Sequence, residues 1–287
     1  MRLRYYCPSD RFTHCVTAHA IVDEVDRPAT ECVPAMLANL HIRLSGGTRY
    51  IFDDGVMIKA PRASLIGPTL SAYRMGLEPD LFVITTGFLP EGWARILSLP
   101  SHELTDRIID AELVWGHAKI ERLCEQLQAV RCDGAQVARV VEQFLWQEAC
   151  LGDTYRTSSA AAIDYWLEHS PDLSLKALQD LLDTGERHMR RLVLASHGTS
   201  PKLLAMKYRA LRAATGFAVR GPDPQPPTVR PDEALHHFAD QSHFIRDFRR
   251  FTGWTPGTFM AEGGSVAAST IAGRYRAGIV RPLSLWS

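Results

Sequence analysis

What this chain lacks narrows its chemistry before any motif is read. No apolar run approaches the ~20 residues that cross a bilayer, and the opening MRLRYYCPSDRF has no apolar core of a secretory signal. Six cysteines are scattered through 287 residues with no CxxC pair. That is too few for a disulfide scaffold and fits a reducing compartment, so a soluble, cytoplasmic protein with no membrane partner is expected. There is no P-loop, no dinucleotide glycine pattern, no nucleophile elbow and no HExxH. The common phosphate, hydride, acyl and zinc-hydrolase chemistries therefore have no visible carrier, and neither an enzyme nor a cofactor is expected. Net charge is missing too, with 32 Lys and Arg against 32 Asp and Glu.

The zero is an average. From Thr184 to Phe251 there are twelve Lys and Arg but six Asp and Glu, so this segment carries +6 and the remainder −6. A chain of this length with 46% apolar residues has room for two ordinary domains. A basic half joined to an acidic half suits a DNA-binding domain attached to a sensor.

The first half reads as strands. Residues 38–44, 49–52, 56–60, 64–66 and 81–86 are strand-length runs rich in Ile, Leu, Val and Phe, separated by the turn sequences Ser45-Gly46-Gly47 and Asp53-Asp54-Gly55. Short strands with hairpin turns predict a β-barrel or sandwich over residues 1–100. The period then changes: Ile120, Leu123 and Leu127, and after a break at Gly134 also Val137, Val140, Val141, Phe144 and Leu145, recur at helical spacing, predicting helices over 117–150. The pattern lapses over 151–159, which reads as a linker. Beyond it come a helix over 160–169, a helix from an N-cap at Ser174 with Leu175, Leu178 and Leu182 inward, a turn at Asp183-Thr184-Gly185, and a second helix with Met189, Leu192 and Val193 as its buried stripe. This is the helix-turn-helix plan.

The second such unit lies in FADQSHFIRDFRRFTGWTPGTF, residues 238–259. Asp240 is a good N-cap, Phe244, Phe248 and Phe251 make one apolar face, and the opposite face is dense in long donors suited to phosphates and base edges. These strings, with SLKALQDLLDTGERHMRRLVLASHGTSPKLL, resemble the two helix-turn-helix units of the AraC/XylS family of bacterial transcription regulators over about 160–260. PRASLIGPTLSAYRM and GFLPEGWARILSLPSHELTDRIIDAELVWG resemble a sensor domain that recurs in such regulators.

The resemblance implies an α+β protein of two domains. A cupin-like β-rich region with dimerising helices would fill 1–152, a linker 153–159, an all-α DNA-binding domain 160–262 and a tail 263–287. It implies a sequence-specific regulator whose partners are double-stranded DNA, RNA polymerase, a small-molecule effector and a second copy of the chain, in the cytoplasm and at the nucleoid. By family position the groove-facing residues are Arg187, Arg190 and Arg191 in the first unit, and Gln241, Ser242, His243 and Arg246 in the second. Two reading helices on one polypeptide enter successive major grooves about 34 Å apart. Lys202, Arg249 and Arg250 are placed against phosphate, where they add affinity without sequence information.

The chain departs from the pattern in PDPQPPTVRPDEALHHF, where Pro231 limits any helix to 231–237 and His237 replaces a Gly. In the first unit Asp183 replaces the turn Gly and Gly185 the N-cap Ser. An alternative follows, in which a degraded second unit leaves a ligand- or partner-binding protein; a small-molecule enzyme of the cupin type is the other.

In the sensor half, Tyr50, Phe52, Tyr73, Phe82 and Phe88 are aromatics that could line a ligand site, against the commoner role of core. His14, His19 and His41 lack a carboxylate at ligand spacing, so no metal is expected. Cys7, Cys15 and Cys32 read more readily as small buried hydrophobes than as a thiol sensor. The tail after Met260, with Gly263-Gly264 and many small residues, is expected to be peripheral.

Overall fold

Ten strands form two antiparallel sheets, and eleven helices follow or flank them, in a computed structural model that describes residues 1–97, 99–149, 154–218, 241–261, 266–279 and 281–286. The strands are β1 (Arg2–Tyr6), β2 (Val16–Asp23), β3 (Ala29–Val33), β4 (Asn39–Ser45), β5 (Thr48–Ile51), β6 (Met57–Lys59), β7 (Ala63–Ile66), β8 (Tyr73–Leu77), β9 (Phe82–Phe88) and β10 (Ile108–Asp110). One sheet has the order β1-β2-β9-β4-β7-β10 and the other β3-β8-β5-β6. Side chains of both meet between them, Val22 and Val83 with Leu77, and Ile66 with Tyr50 and Tyr73.

The hairpin turns form where the glycines stand. Gly46 and Gly55 take φ of 71° and 75°, the left-handed region that a Cβ disfavours. The five strand runs read from sequence are all present, with ends shifted by one or two residues. The largest omission is β2, whose eight residues VTAHAIVD are all buried. A strand covered on both faces has no polar alternation to show.

Helices α1 (Pro90–Ile96), α2 (Glu112–Trp115), α3 (His117–Val130) and α4 (Gly134–Glu148) complete the first half. Asp133 caps α4 by accepting from the amides of Ala135 and Gln136 at 3.0 and 3.1 Å. The buried faces of α3 and α4, Ile120, Leu123 and Leu127 with Val137, Val141 and Phe144, pack on the six-stranded sheet through Leu40, Ile42 and Leu65.

The second half is α5 (Thr154–His169), α6 (Leu175–Leu181), α7 (Glu186–His197), α8 (Pro201–Ala218), α9 (Gln241–Thr252), α10 (Pro256–Ala261) and α11 (Val266–Arg276). α5 begins six residues earlier than read from sequence, so 154–159, expected as linker, is helical. Its small and polar residues gave no apolar period, but Ile163 and Trp166 anchor the helix in the core. Leu175, expected inward, is 36% exposed, whereas Leu178 is fully buried.

The tail also differs from expectation. α11 packs against β1, β3 and α8. Ile271, Leu283, Leu285 and Trp286 are buried in the same core as the second-half helices. Their apolar positions follow no single period because the segment crosses from the helices back to the sheets. The segment 219–240, with the expected N-cap at Asp240 and the proline-limited helix at 231–237, lies outside the described residues.

Candidate nucleic-acid interface

The first candidate reading unit is built as its residues dictate. Ser174 caps α6, its hydroxyl 3.4 Å from the Ala177 amide. Asp183 takes φ of 44°, the left-handed turn conformation that Asp tolerates better than most residues, and Gly185 stands at the N-cap of α7 with extended backbone. Met189 and Val193 are buried against the core, with Leu192 packed beside them. That leaves Arg187, Arg190 and Arg191 exposed. Arg190 pairs with Glu186 one turn back at 2.5 Å, and Arg191 lies 2.7 Å from Nδ1 of His188. Both contacts are exposed, and an exposed pair of this kind contributes only about 0.3–0.5 kcal/mol, so a phosphate or base edge can displace it. Gly198 at φ 75° ends α7, and Ser200 starts α8, which carries an exposed Lys202.

In the second unit Phe244, Phe248 and Phe251 are 4%, 0% and 0% exposed. Phe248 packs edge-on against Phe244 and Phe259. Gln241, Ser242, Arg246 and Arg249 are exposed on the opposite side. His243 is half-buried, with Nε2 3.5 Å from the buried carboxylate of Asp247, which also lies 3.8 Å from Arg246.

Arg250 is turned toward the first half of the chain, its Nε donating to the Leu70 carbonyl at 3.2 Å. The α9 end is held there by backbone as well. The Ala72 amide donates to the Arg250 carbonyl at 2.8 Å and the Ala35 amide to the Phe251 carbonyl at 2.7 Å. α7 ends the same way: Ser101 Oγ donates to the Ser196 carbonyl at 2.7 Å and Thr105 Oγ1 to the Gly198 carbonyl at 2.9 Å. Helix ends leave carbonyls without intrahelical partners, and here the β-rich half donates to two of them at the end of each candidate reading helix. Nothing in the sequence signalled this.

Sequence reasoning also missed three cations that bind protein. Lys207 of α8 is buried, its Nζ donating to the carbonyls of Met36 at 2.8 Å and Thr69 at 2.9 Å. Burial lowers its pKa to about 7, against a smaller opposing pull from Asp106. A neutral amine has two N–H groups, one for each carbonyl. Arg209 donates to the Asp172 carbonyl at 2.8 Å, and Arg212 to those of Ser170 and Leu167. The basic excess of this segment is therefore partly structural.

The five aromatics named for the sensor half fall into two places. Tyr50, Phe52 and Tyr73 form one cluster between the sheets, with Tyr50 and Phe52 stacked at 6.4 Å. Phe82 and Phe88 belong to the helix-facing core. Only Tyr73 of the five lines the cavity between the sheets. His14 is exposed, His19 joins Thr86 at 2.9 Å and Glu142 at 3.3 Å, and His41 joins Tyr50 at 2.6 Å. Among the described residues no three metal-ligating side chains gather. Burial pushes the Cys15 thiol up to about 11 and raises that of Cys32, while Cys7 is exposed. No described helix is long and apolar enough to cross a membrane.

No family model and no curated protein matches the chain. Among solved structures, it is similar to ToxT from Vibrio cholerae O395 at 12% identity and a TM-score of 0.46, covering 92% of this chain and 98% of that one. It is also similar to unsaturated fatty acid bound ToxT from Vibrio cholerae strain SCE256 at 10% identity and a TM-score of 0.44, covering 90% and 94%. A likeness at this level assigns neither ligand nor DNA site, so function has to be argued from the residues.

Proposed function

We propose that the chain is a sequence-specific DNA-binding transcription regulator of the AraC/XylS type, with residues 1–152 as sensor and 160–262 as reader. One observation carries the reading: α7 and α9, both packed on α8, expose Arg187, Arg190 and Arg191 on one and Gln241, Ser242 and Arg246 on the other. Arginine and glutamine are the side chains that read guanine and adenine bidentately, each good pair supplying about 1–3 kcal/mol of discrimination. His243 belongs to the same reading face once DNA competes with Asp247 for it, and Lys202 and Arg249 are phosphate contacts. Arg250 serves phosphate only by leaving Leu70. Action as a homodimer, contact with RNA polymerase and a cytoplasmic, nucleoid-associated location are parts of the same proposal.

The placement of Arg250 and the docking of the α9 end on the β-rich half favour a second reading as well, in which the second unit is a weak reader and specificity rests on α7. Both are tested by binding of the protein to fragments of its own genomic neighbourhood at two salt concentrations, with Arg187→Ala and Arg246→Ala alongside. Selective binding lost in both variants establishes two reading helices. Loss in Arg187→Ala alone establishes the second reading. Weak, salt-sensitive binding to every fragment, unchanged in either variant, overturns DNA reading altogether.

A further inference from the structure

The four-stranded sheet buries one face and presents the other to solvent. Tyr50, Ile58, Tyr73 and Met75 point inward, into the cluster between the sheets. Alternation along the strands therefore turns Arg49 of β5, Lys59 of β6 and Arg74 of β8 outward. Lys59 and Arg74 are exposed and Arg49 is half-buried. The other outward strand positions are Thr30, Cys32, Ile51, Met57 and Gly76, so the face carries three cations and no carboxylate.

The register makes this arrangement costly. Arg49 and Lys59 are direct cross-strand partners, and like charges set opposite one another destabilise a sheet. Arg74 stands diagonal to Arg49, because Arg49 pairs with Gly76 and Ile51 with Arg74. Gly76 leaves room for Arg49 to lie across β8, since a Cβ there would stand 3.3 Å from Arg49 Nε. Among the described residues no ion pair engages any of the three cations. Asp53 and Asp54 stand in the turn past the end of β5, where Asp54 accepts from the Val56 amide at 3.0 Å. A face that gathers positive charge at a cost to its own sheet suits an anion from outside the chain.

Its position indicates which anion. On α9, His243, Arg246 and Arg250 recur at helical spacing along one stripe. The stripe ends with Arg250 on the Leu70 carbonyl, in the loop that leads into β8 and Arg74. Just past α9, Gly253 is seated against Cys32, the cross-strand partner of Arg74. The donor-rich stripe of α9 and the cationic face of the sheet therefore adjoin along β3 and β8. A duplex seated on that stripe brings its charged backbone to this edge.

We propose that the outer face of the four-stranded sheet is a further DNA surface, on which Arg49, Lys59 and Arg74 take backbone phosphates of the duplex flanking the half-site under α9. Such contacts add affinity and salt dependence without reading bases. DNA as the anion rests on the regulator reading, whereas the cationic face does not.

The test is the affinity of the full chain against salt, on a genomic fragment that it selects and on a mixed-sequence duplex, for the parent and for Arg49→Gln/Lys59→Gln/Arg74→Gln. The variant is expected to lower the slope of log affinity against log salt by about 2.7 on both DNAs, three phosphates at about 0.9 each, and to keep the parent's order of preference among fragments. Hydroxyl-radical footprinting is expected to show protection lost only in the flank beside the half-site that Arg246→Ala disturbs. Because a like-charge pair has been removed, the variant is expected to melt no lower than the parent, which separates a lost contact from a lost fold. A slope that falls by less than about 0.9 on both DNAs, or protection lost on the α7 side instead, overturns the proposal. An unchanged slope with loss of binding to phosphatidylglycerol vesicles also overturns it, and makes the face a membrane surface. If the parent selects no fragment yet the variant loses slope on the mixed-sequence duplex, the regulator reading falls and the phosphate surface stands. Intact selection with an unchanged slope leaves the reading and removes the surface.

Discussion

Lys207 shows how much one side chain's setting changes its meaning. In sequence it is one of twelve cations in a basic segment; in the structure it is buried and bonded to the Met36 and Thr69 carbonyls. Its pKa falls from 10.5 to about 7 on burial. Between those values the unfolded chain binds more protons at this site than the folded one, so stability rises with pH from about 7 to 10.5 and is flat below 7. Thermal unfolding of the parent across this range is expected to rise relative to Lys207→Met, and parallel profiles would remove Lys207 as the titrating group. Asp183, at φ 44°, makes the converse point. Asp183→Leu is expected to cost about 1–2 kcal/mol in urea denaturation because a bulky Cβ side chain is strained there, and Asp183→Gly to cost nothing or to stabilise.

At the scale of elements, the two candidate reading helices share a design: apolar stripe inward, donors outward, C-terminal carbonyls capped by the β-rich half. The inward stripes of α7 and α9 were legible because helical period is local. The caps were not, since Ser101, Thr105, Ala35 and Ala72 lie 93 residues or more from the carbonyls they cap, and none carries a local signal. Gly253, at φ 88° and seated against Cys32 of β3, tests that docking. Gly253→Ala is expected to cost about 1–2 kcal/mol from backbone strain and contact. Footprinting should show the half-site read by α9 weakening before that read by α7; uniform weakening would mean the docking does not set α9. Salt dependence separates the cations in the same way. Arg249→Gln is expected to reduce the slope of log affinity against log salt by about 0.9, the value for one phosphate contact, whereas Arg212→Gln changes stability and leaves the slope.

For the whole molecule, the tail joins halves that the sequence presents as separate. Removing residues 263–287 takes away Ile271, Leu283, Leu285 and Trp286, all 6% exposed or less. Burying one such side chain stabilises by about 1.5–3 kcal/mol, so the truncated chain should melt at clearly lower temperature than the parent. An unchanged melting temperature would show that the tail is dispensable to the fold.

The sequence by itself determined the elements whose information is local: hairpin turns at Gly46 and Gly55, the amphipathic stripes of α3, α4, α7 and α9, and the donor-rich faces carrying Arg187 and Arg246. It determined the α+β order, strands first and helices after. Tertiary structure alone decided which cations face solvent, which histidine lines a cavity, and that a C-terminal segment packs against the first strands. The physical reason is separation along the chain. Burial of Lys207, neutrality of His41 and packing of Trp286 each depend on residues more than a hundred positions apart or on opposing sheets, and no period or motif records a partner that distant.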